Sequence, residues 1–246
     1  RLFPASLPIT DNWAMNSISQ NVRSQIAAGV AQQYPNLPQA NRDQLINEQY
    51  AQFLEQQGPQ LEPQIQGISA QFKTQLKDDT GQTYLLAIDP YFYLRQVRNL
   101  DEFGHVGDTK NENGDSVDSL QFAPLGGVVS PNFHSYFAFY LYKVWSFFDR
   151  DITHMAVLFY VPVIIMSLAV IPAFFVGRRL AGNLGGFLTA TIVAVHRAIL
   201  GRTPAGFSDT DAYNILFPLL IIWVTLIAID ADSLKKRIGY GTLSGF

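Results

Sequence analysis

Two carboxylates one residue apart are the feature of this 246-residue chain with the clearest capacity for chemistry. They belong to the triplet Asp209-Thr210-Asp211, which lies between two apolar runs. Carboxylate oxygens are the hard ligands that Mg²⁺ and Mn²⁺ prefer, so a pair at this spacing can share one divalent cation. Because the flanking runs suit a bilayer, the triplet predicts a metal site at the end of a membrane helix and a substrate partly dissolved in lipid.

A second acidic residue and a nearby cation extend this candidate site. Asp89 opens the string DPYFYLR, and Arg202 lies seven residues before Asp209 in a short loop. A guanidinium here either holds the carboxylates ionised or binds a phosphate, and anchoring at lipid headgroups is the alternative. The alternative for Asp89 is an N-cap ahead of Pro90. The alternative for Asp209 or Asp211 is to cap the helix that follows them.

The composition limits the classes of protein to consider. The formal charge of −3 gives no reason to expect a nucleic-acid partner. The absence of cysteine excludes disulfides and thiolate metal sites. Hydrophobic residues make up 48% of the chain, but residues 1–83 are rich in Gln and Asn whereas the C-terminal half is strongly apolar. The pattern indicates a polar segment followed by a membrane segment.

The apolar half predicts three transmembrane helices. Residues 155–177 contain no charged side chain and are long enough to cross a hydrocarbon core of about 30 Å. Two further apolar runs follow at about 180–200 and 212–230, separated by a loop at 201–211 that carries the Asp-Thr-Asp triplet. The predicted fold class is an all-α polytopic membrane protein with three spans in residues 155–246.

Two cationic clusters orient these spans. Arg178-Arg179 follow the first span and Lys235-Lys236-Arg237 follow the third, which places both clusters on one side. By the positive-inside rule this side is the cytoplasm. The loop at 201–211 and residues 1–154 then face the extracytoplasmic side of the cell membrane, in a multi-pass protein.

The aromatic segment at 131–148 bears on this orientation. It is nearly long enough to span, and a span here would place residues 1–130 on the opposite side from the acidic loop. It carries His134, Lys143 and many amphipathic rings, which favour a helix lying at the outer membrane surface. Residues 1–154 are therefore interpreted as a long helical extracytoplasmic loop that includes an interfacial helix.

The remainder of the outer segment predicts helices and an exposed loop. Apolar residues recur at helical spacing across residues 11–78 and predict two or three amphipathic helices. Breaks are expected at Pro35-Asn36-Leu37-Pro38 and at Gly58-Pro59. Residues 101–118 are polar and rich in Gly and Asn, which is typical of an exposed loop.

Two motifs, DPYFYLR at residues 89–95 and GRTPAGFSDTDAYN at residues 201–214, resemble the catalytic subunit of the oligosaccharyltransferases, in particular the archaeal AglB type. APLG at residues 123–126 and GRRLAGNLGGF at residues 177–187 lie in the family's order. The resemblance covers residues 84–230 well. It implies the N-terminal transmembrane part of a type C glycosyltransferase with a long extracytoplasmic loop.

The resemblance also implies an activity and its residues. The family transfers an oligosaccharide from a dolichyl-phosphate-type lipid carrier to the Asn side chain of Asn-x-Ser/Thr acceptors. Asp89, Asp209 and Asp211 match the residues that hold one Mn²⁺ or Mg²⁺, and Arg202 matches the arginine beside them. Asp89, Asp211 and Arg202 are then the candidate catalytic residues. The expected partners are the lipid-linked oligosaccharide, the acceptor polypeptide and membrane lipid.

Two other functions stay open. Another type C transferase of lipid-linked sugars would use the same acidic motifs, and the sequence has no WWD string for an acceptor hydroxyl. A transporter or scaffold would use the aspartates only as caps, but charges on a transport path are expected at mid-membrane depth rather than at span ends. The chain is expected to be an N-terminal portion of a longer enzyme and inactive alone.

Overall fold

The computed structural model describes residues 1–245, most of them in helices. The eight α-helices of these residues are α1 Ile9–Gln33, α2 Gln39–Gln75, α3 Ile88–Phe103, α4 Phe133–Phe148, α5 His154–Val195, α6 Arg197–Arg202, α7 Tyr213–Asp230 and α8 Leu234–Ser244. Short 3₁₀ turns are formed by Phe3–Ser6 and Thr210–Ala212. The chain divides into two compact units, Ser6–Gly81 and a second unit made of Arg1–Ala5 with the chain from Gln82 onward.

The unit Ser6–Gly81 is a hairpin of α1 and α2. Leu61 and Ile65 of α2 are buried against Ala14 and Ile18 of α1. The expected break at Gly58-Pro59 is wrong, because α2 continues through it. A proline removes one helical hydrogen bond, but the apolar side chains that follow within two turns are packed against α1, and this burial holds the helix together.

Helix α5 folds back on itself at Ala181-Gly182, where both residues leave helical geometry and Gly182 has φ +69°. Residues eight apart on a straight helix would be about 12 Å apart. Here a Cβ added to Gly185 would lie 2.8 Å from the carbonyl oxygen of Gly177. The stretches 154–180 and 183–195 are therefore two antiparallel arms whose backbones meet at glycines.

The second arm ends earlier than the predicted helix at about 180–200, because the chain is extended at His196. The side chain of Arg1 lies at this end. Its guanidinium donates to the carbonyl oxygens of Val193 and Ala194 at 3.2 and 2.7 Å. It thus satisfies carbonyls that the end of a helix leaves without an amide partner, and α6 starts as a separate short helix.

Two helical stretches are long and apolar enough to cross a membrane, His154–Arg202 and Thr210–Asp230. The first contains both arms of α5 and α6, so the number of membrane spans remains a prediction. Helix α7 matches the predicted span at 212–230 to within one residue. Its apolar run is uninterrupted by charge, which makes its bounds readable from sequence alone.

A small antiparallel sheet departs from the all-α prediction. Two of its strands fall within the exposed loop expected at 101–118, and most residues of this stretch are indeed exposed. Its strands are β1 Thr109–Lys110, β2 Ser116–Asp118 and β3 Gly127–Val128, in that order. The carboxylate of Asp118 is buried and pairs with Arg95 of α3 at 2.6 Å. Arg95 also pairs with Asp108 at 3.2 Å. Ion pairing thus ties the polar segment to α3, and hydropathy does not reveal it.

Helix α4 occupies most of the segment 131–148 that the sequence assigns to an interfacial helix. The side chain of Asn132 accepts from the Ser135 amide at 2.9 Å and caps its N-terminus. Exposed rings such as Tyr140 and Phe147 cover one part of the helix, while His134 and Ala138 are buried. The helix is therefore amphipathic, and its depth in a membrane stays a prediction.

Candidate active site

The loop that carries the acidic triplet is held by backbone hydrogen bonds on both sides of Gly206. The Gly206 amide donates to the carbonyl of Phe159 at 2.8 Å, and its own carbonyl accepts from the Leu86 amide at 2.9 Å. Gly206 has φ +87°, and a Cβ here would lie about 3 Å from the side chains of Phe159 and Leu86. Only glycine fits at this position. Its two backbone hydrogen bonds join the start of α5 to the segment just before Asp89.

The two aspartates of the triplet have different partners. Asp209 is the N-cap of the 3₁₀ turn, and its Oδ1 accepts from the Thr210 amide at 2.6 Å. Asp211 accepts from Nε of Arg202 at 2.7 Å. The Arg202 guanidinium also lies 4.8 Å from the centre of the Phe207 ring. Capping is thus one role of Asp209, whereas the Asp211 carboxylate is held by a cation.

Asp89 lies in the first turn of α3, exposed to solvent. The interpretation of Asp89 as the N-cap is wrong, because Ala87 occupies that position and Ile88 begins the helix. The helix can start ahead of Pro90 because the first four amides of a helix have no helical partner to lose. The carboxylate of Asp89 therefore lies at the helix start without forming the cap.

The side chain of Tyr93 lies between the two acidic segments. It follows Asp89 by four residues on α3, so the two side chains share one face of the helix. Burial raises the pKa of the Tyr93 hydroxyl, and the charges of Asp209, Asp89 and Asp211 raise it further, while a side-chain hydrogen bond with Thr210 acts in the opposite direction. The charges of all three aspartates thus act on one phenol.

His134 lies beneath the acidic loop and is 1% exposed. Its Nδ1 lies 3.1 Å from the Tyr213 hydroxyl and its Nε2 lies 3.2 Å from the Ser208 hydroxyl. Its ring meets the Tyr93 ring edge-on, with 4.5 Å between centres. Burial lowers the pKa of His134 to about 4, against the opposing effects of the Asp209 charge and a hydrogen bond to the Ser208 backbone. The imidazole is neutral at physiological pH.

Sequence reasoning did not find Tyr93 or His134 as parts of this site. The spacing of four between Asp89 and Tyr93 is a usable signal, since it places both on one helical face. His134 carries no such signal, because 74 residues separate it from Ser208. Only the packing of α4 against α3 and the acidic loop brings it there.

The chemistry of the donors fits a hard divalent cation. Within residues 1–245, the hydrogen bonds of Asp209 and Asp211 engage one carboxylate oxygen each, Oδ1 and Oδ2 respectively. The second oxygen of each is free to act as a ligand for Mg²⁺ or Mn²⁺. The same residues contain no group of three acidic or His side chains close enough to hold one ion. The metal role of Asp89, Asp209 and Asp211 stays a prediction.

Residues 62–246 match the family model described as oligosaccharyl transferase STT3, N-terminal. The chain belongs to this family. The match covers the whole candidate site, from Asp89 at the start of α3 to Tyr213 at the start of α7. The resemblance found in the two acidic motifs is thereby confirmed.

Curated relatives of the STT3 chain carry names of transferases. A dolichyl-phosphooligosaccharide-protein glycotransferase of Methanococcus voltae is 38% identical over 180 residues, covering 71% of this chain and 20% of the relative. One of Methanocaldococcus jannaschii is 37% identical over 166 residues, covering 65% and 18%. An undecaprenyl-diphosphooligosaccharide–protein glycotransferase of Campylobacter jejuni is 27% identical over 106 residues, covering 40% and 14%.

The chain spans about a fifth of the length of the archaeal relatives that it matches. No solved structure matches it.

Proposed function

We propose that this STT3 chain forms the donor-side part of a membrane glycosyltransferase that transfers a lipid-linked oligosaccharide to the Asn of an Asn-x-Ser/Thr acceptor. The observation that carries the proposal is the Leu86–Gly206 backbone hydrogen bond, which joins the segment just before Asp89 to the loop that carries Asp209 and Asp211. The names of the relatives, which specify a phosphooligosaccharide lipid and a protein, support the donor and acceptor classes.

The donor side requires positive charge next to a lipid phosphate. Asp209 and Asp211, joined by Asp89, would hold the Mn²⁺ or Mg²⁺, which when bound neutralises the charge that develops on the departing phosphate. Arg202 adds a fixed positive charge beside Asp211. Because its side chain is 60% exposed, the guanidinium can reach a phosphate oxygen while it stays paired with the Asp211 carboxylate.

The acceptor side requires activation of a poor nucleophile. The lone pair of a carboxamide nitrogen is delocalised into its carbonyl group, so the nitrogen attacks slowly. A carboxylate that accepts a hydrogen bond from the amide N–H weakens this delocalisation as charge develops. We assign this role to Asp89, which is exposed at the start of α3, with a share for Asp211.

The residues at opposite ends of the helices support the proposed orientation of the site in the membrane. Arg179, at the turn between the two arms of α5, pairs with Asp230 at the end of α7 through two hydrogen bonds of 2.6 and 2.9 Å. These ends carry the cationic residues, and the acidic loop lies at the other ends. The positive-inside rule then supports a site on the extracytoplasmic face of a multi-pass membrane protein.

Glycan transfer by the full-length protein tests the proposal. The assay supplies a lipid-linked oligosaccharide extract and a fluorescent Asn-x-Thr peptide, with Mn²⁺ or with EDTA. We expect a metal-dependent mobility shift of the peptide that Asp209→Ala abolishes. Asp232→Ala is the matched control, since its carboxylate is 93% exposed at the cationic end of the helices, and it should retain the shift.

Two results would overturn parts of this proposal. A peptide shift that persists in EDTA would remove the metal from the mechanism. A folded wild-type protein that consumes the lipid-linked donor without shifting the peptide would assign a different acceptor, as in other type C transferases of lipid-linked sugars.

A further inference from the structure

The imidazole of His134 contacts residues on both sides of the Asp209-Thr210-Asp211 triplet. Ser208 immediately precedes Asp209, and Tyr213 follows Asp211 by two residues. Both hydroxyls lie within hydrogen-bond distance of the one ring, at 3.2 and 3.1 Å. A single buried side chain on α4 therefore links the residues that flank the triplet.

Each ring nitrogen of His134 has a hydroxyl partner. Nδ1 lies 3.1 Å from the Tyr213 hydroxyl and Nε2 lies 3.2 Å from the Ser208 hydroxyl. In a neutral imidazole one nitrogen donates and the other accepts, and a hydroxyl can do either. A neutral His134 therefore satisfies both neighbours, as a buried polar group requires.

The same contacts determine which side chains of the loop face outward. Ser208 and Tyr213 are buried against His134, while Asp209 and Asp211 remain partly exposed. Tyr93, which packs edge-on against His134, interacts with Thr210 between the two aspartates. Fixing the flanking residues inward removes conformational freedom that the carboxylates would otherwise lose on binding a cation.

We propose that His134 is a positioning residue that holds the Asp209 and Asp211 carboxylates in their cation-binding arrangement by bonding Ser208 and Tyr213. The inference rests on the proposed function. It differs from a purely structural role of a buried histidine, because it predicts a loss of cation affinity in a protein that remains folded.

Direct binding of Mn²⁺ to the full-length protein in detergent tests this inference. The electron paramagnetic resonance signal of free Mn²⁺ gives the dissociation constant without any requirement for turnover. His134→Phe keeps a ring of similar size but no nitrogen. It should weaken Mn²⁺ binding by roughly 10-fold, the lower end of the loss that follows removal of a direct partner of a metal ligand, because His134 bonds the neighbours of Asp209 and Asp211 and not the carboxylates themselves. His134→Gln restores a donor toward Ser208 and should recover most of that affinity.

The chain offers a matched control and a second route. His154 bonds Asp101, twelve residues after Asp89 on α3 and thus about 18 Å along the helix, so His154→Gln should bind Mn²⁺ as wild type does. Ser208→Ala removes one hydroxyl while leaving the core ring of His134 in place. It should show a smaller loss of affinity than His134→Phe, and it keeps the test available if the Phe variant does not fold.

The outcomes separate this inference from the proposed function. Thermal unfolding without metal is measured for every variant. If His134→Phe lowers only the unfolding temperature and binds Mn²⁺ like wild type, while Asp209→Ala loses binding, the positioning role is wrong and the proposed metal site stands. If the wild-type protein binds no Mn²⁺, the proposed metal site fails and this inference fails with it.

Discussion

At the level of single residues, Asp209 and Asp211 differ in what holds them, although one residue separates them. A backbone amide holds Asp209 and a guanidinium holds Asp211. The ion pair of Asp211 with Arg202 is partly exposed, with side-chain exposures of 28% and 60%. Exposed pairs contribute little to stability, so we infer that Arg202 serves binding more than folding.

Replacement of Arg202 by alanine tests this division. We expect Arg202→Ala to lower glycan transfer roughly 10- to 100-fold, because the Asp211 carboxylate and the donor phosphate both lose a cationic partner. The free energy of unfolding should fall by less than about 1 kcal/mol. Arg202→Lys keeps the charge but lacks the planar fork and the stacking on Phe207, so its transfer rate should be intermediate. Transfer assays and thermal unfolding in detergent provide the two measurements.

Arg197→Ala is the control for this prediction, since Arg197 is an exposed cation of the same short helix α6. It should leave transfer unchanged. Equal losses in the Arg197 and Arg202 variants would mean that both residues act only as anchors at the lipid headgroups, which is the alternative interpretation of this loop.

Sequence could propose candidate residues where the signal is local but not where it depends on packing. The spacing of Asp209 and Asp211 makes them candidates, and Arg202 is a candidate because it lies near them in a short loop. His134 could not be assigned, because α4 is apolar overall and one histidine in such a helix has no sequence partner. Its partner Ser208 is defined only by tertiary structure.

At the level of the helices, the sequence was informative where apolar runs are long and misleading where tertiary contacts compete with local rules. Helix α7 follows its apolar run. Helix α2 continues through the predicted break at Gly58-Pro59, because the turns that follow pack against α1. The sheet β1–β3 lies in a polar segment, where the buried carboxylate of Asp118 pairs with Arg95. Pairing and burial between distant residues decided each of these departures.

The hairpin of α5 depends on glycines where its arms meet, and Gly185→Ala tests this dependence. An added Cβ would lie 2.8 Å from the Gly177 carbonyl oxygen, which is a backbone atom that cannot rotate away. We expect a loss of about 1–3 kcal/mol in the free energy of unfolding, as for other overpacked sites. Thermal unfolding of the full-length protein in detergent measures it.

Gly67→Ala in α2 is the matched control, since nothing lies within 4 Å of a Cβ at this helical position. It should be neutral or stabilising by roughly 0.4–1 kcal/mol, because alanine reduces the freedom of the unfolded chain. Equal effects of the two substitutions would contradict close backbone packing between the arms of α5.

At the level of the whole molecule, the side of the membrane on which the site lies depends on whether the chain crosses the bilayer an even or an odd number of times. The two arms of α5 and helix α7 bring the cationic residues to one end of the helices and the acidic loop to the other. Helix α4 is the element that could change this count, because a membrane-spanning α4 would move the segment before it to the opposite side.

The absence of cysteine in the chain allows single-cysteine labelling to decide this topology without background from other thiols of the chain. Ser130, just before α4, and Ser233, just before α8, are both exposed. In intact cells a membrane-impermeant maleimide should label Ser130→Cys. It should label Ser233→Cys only after the membrane is permeabilised, because the positive-inside rule predicts from the lysines and arginine of α8 that this end lies in the cytoplasm. Protection of Ser130→Cys from the outside would place α4 across the bilayer. The three-span arrangement would then be wrong, because the Leu86–Gly206 hydrogen bond keeps the Asp89 segment beside the acidic loop.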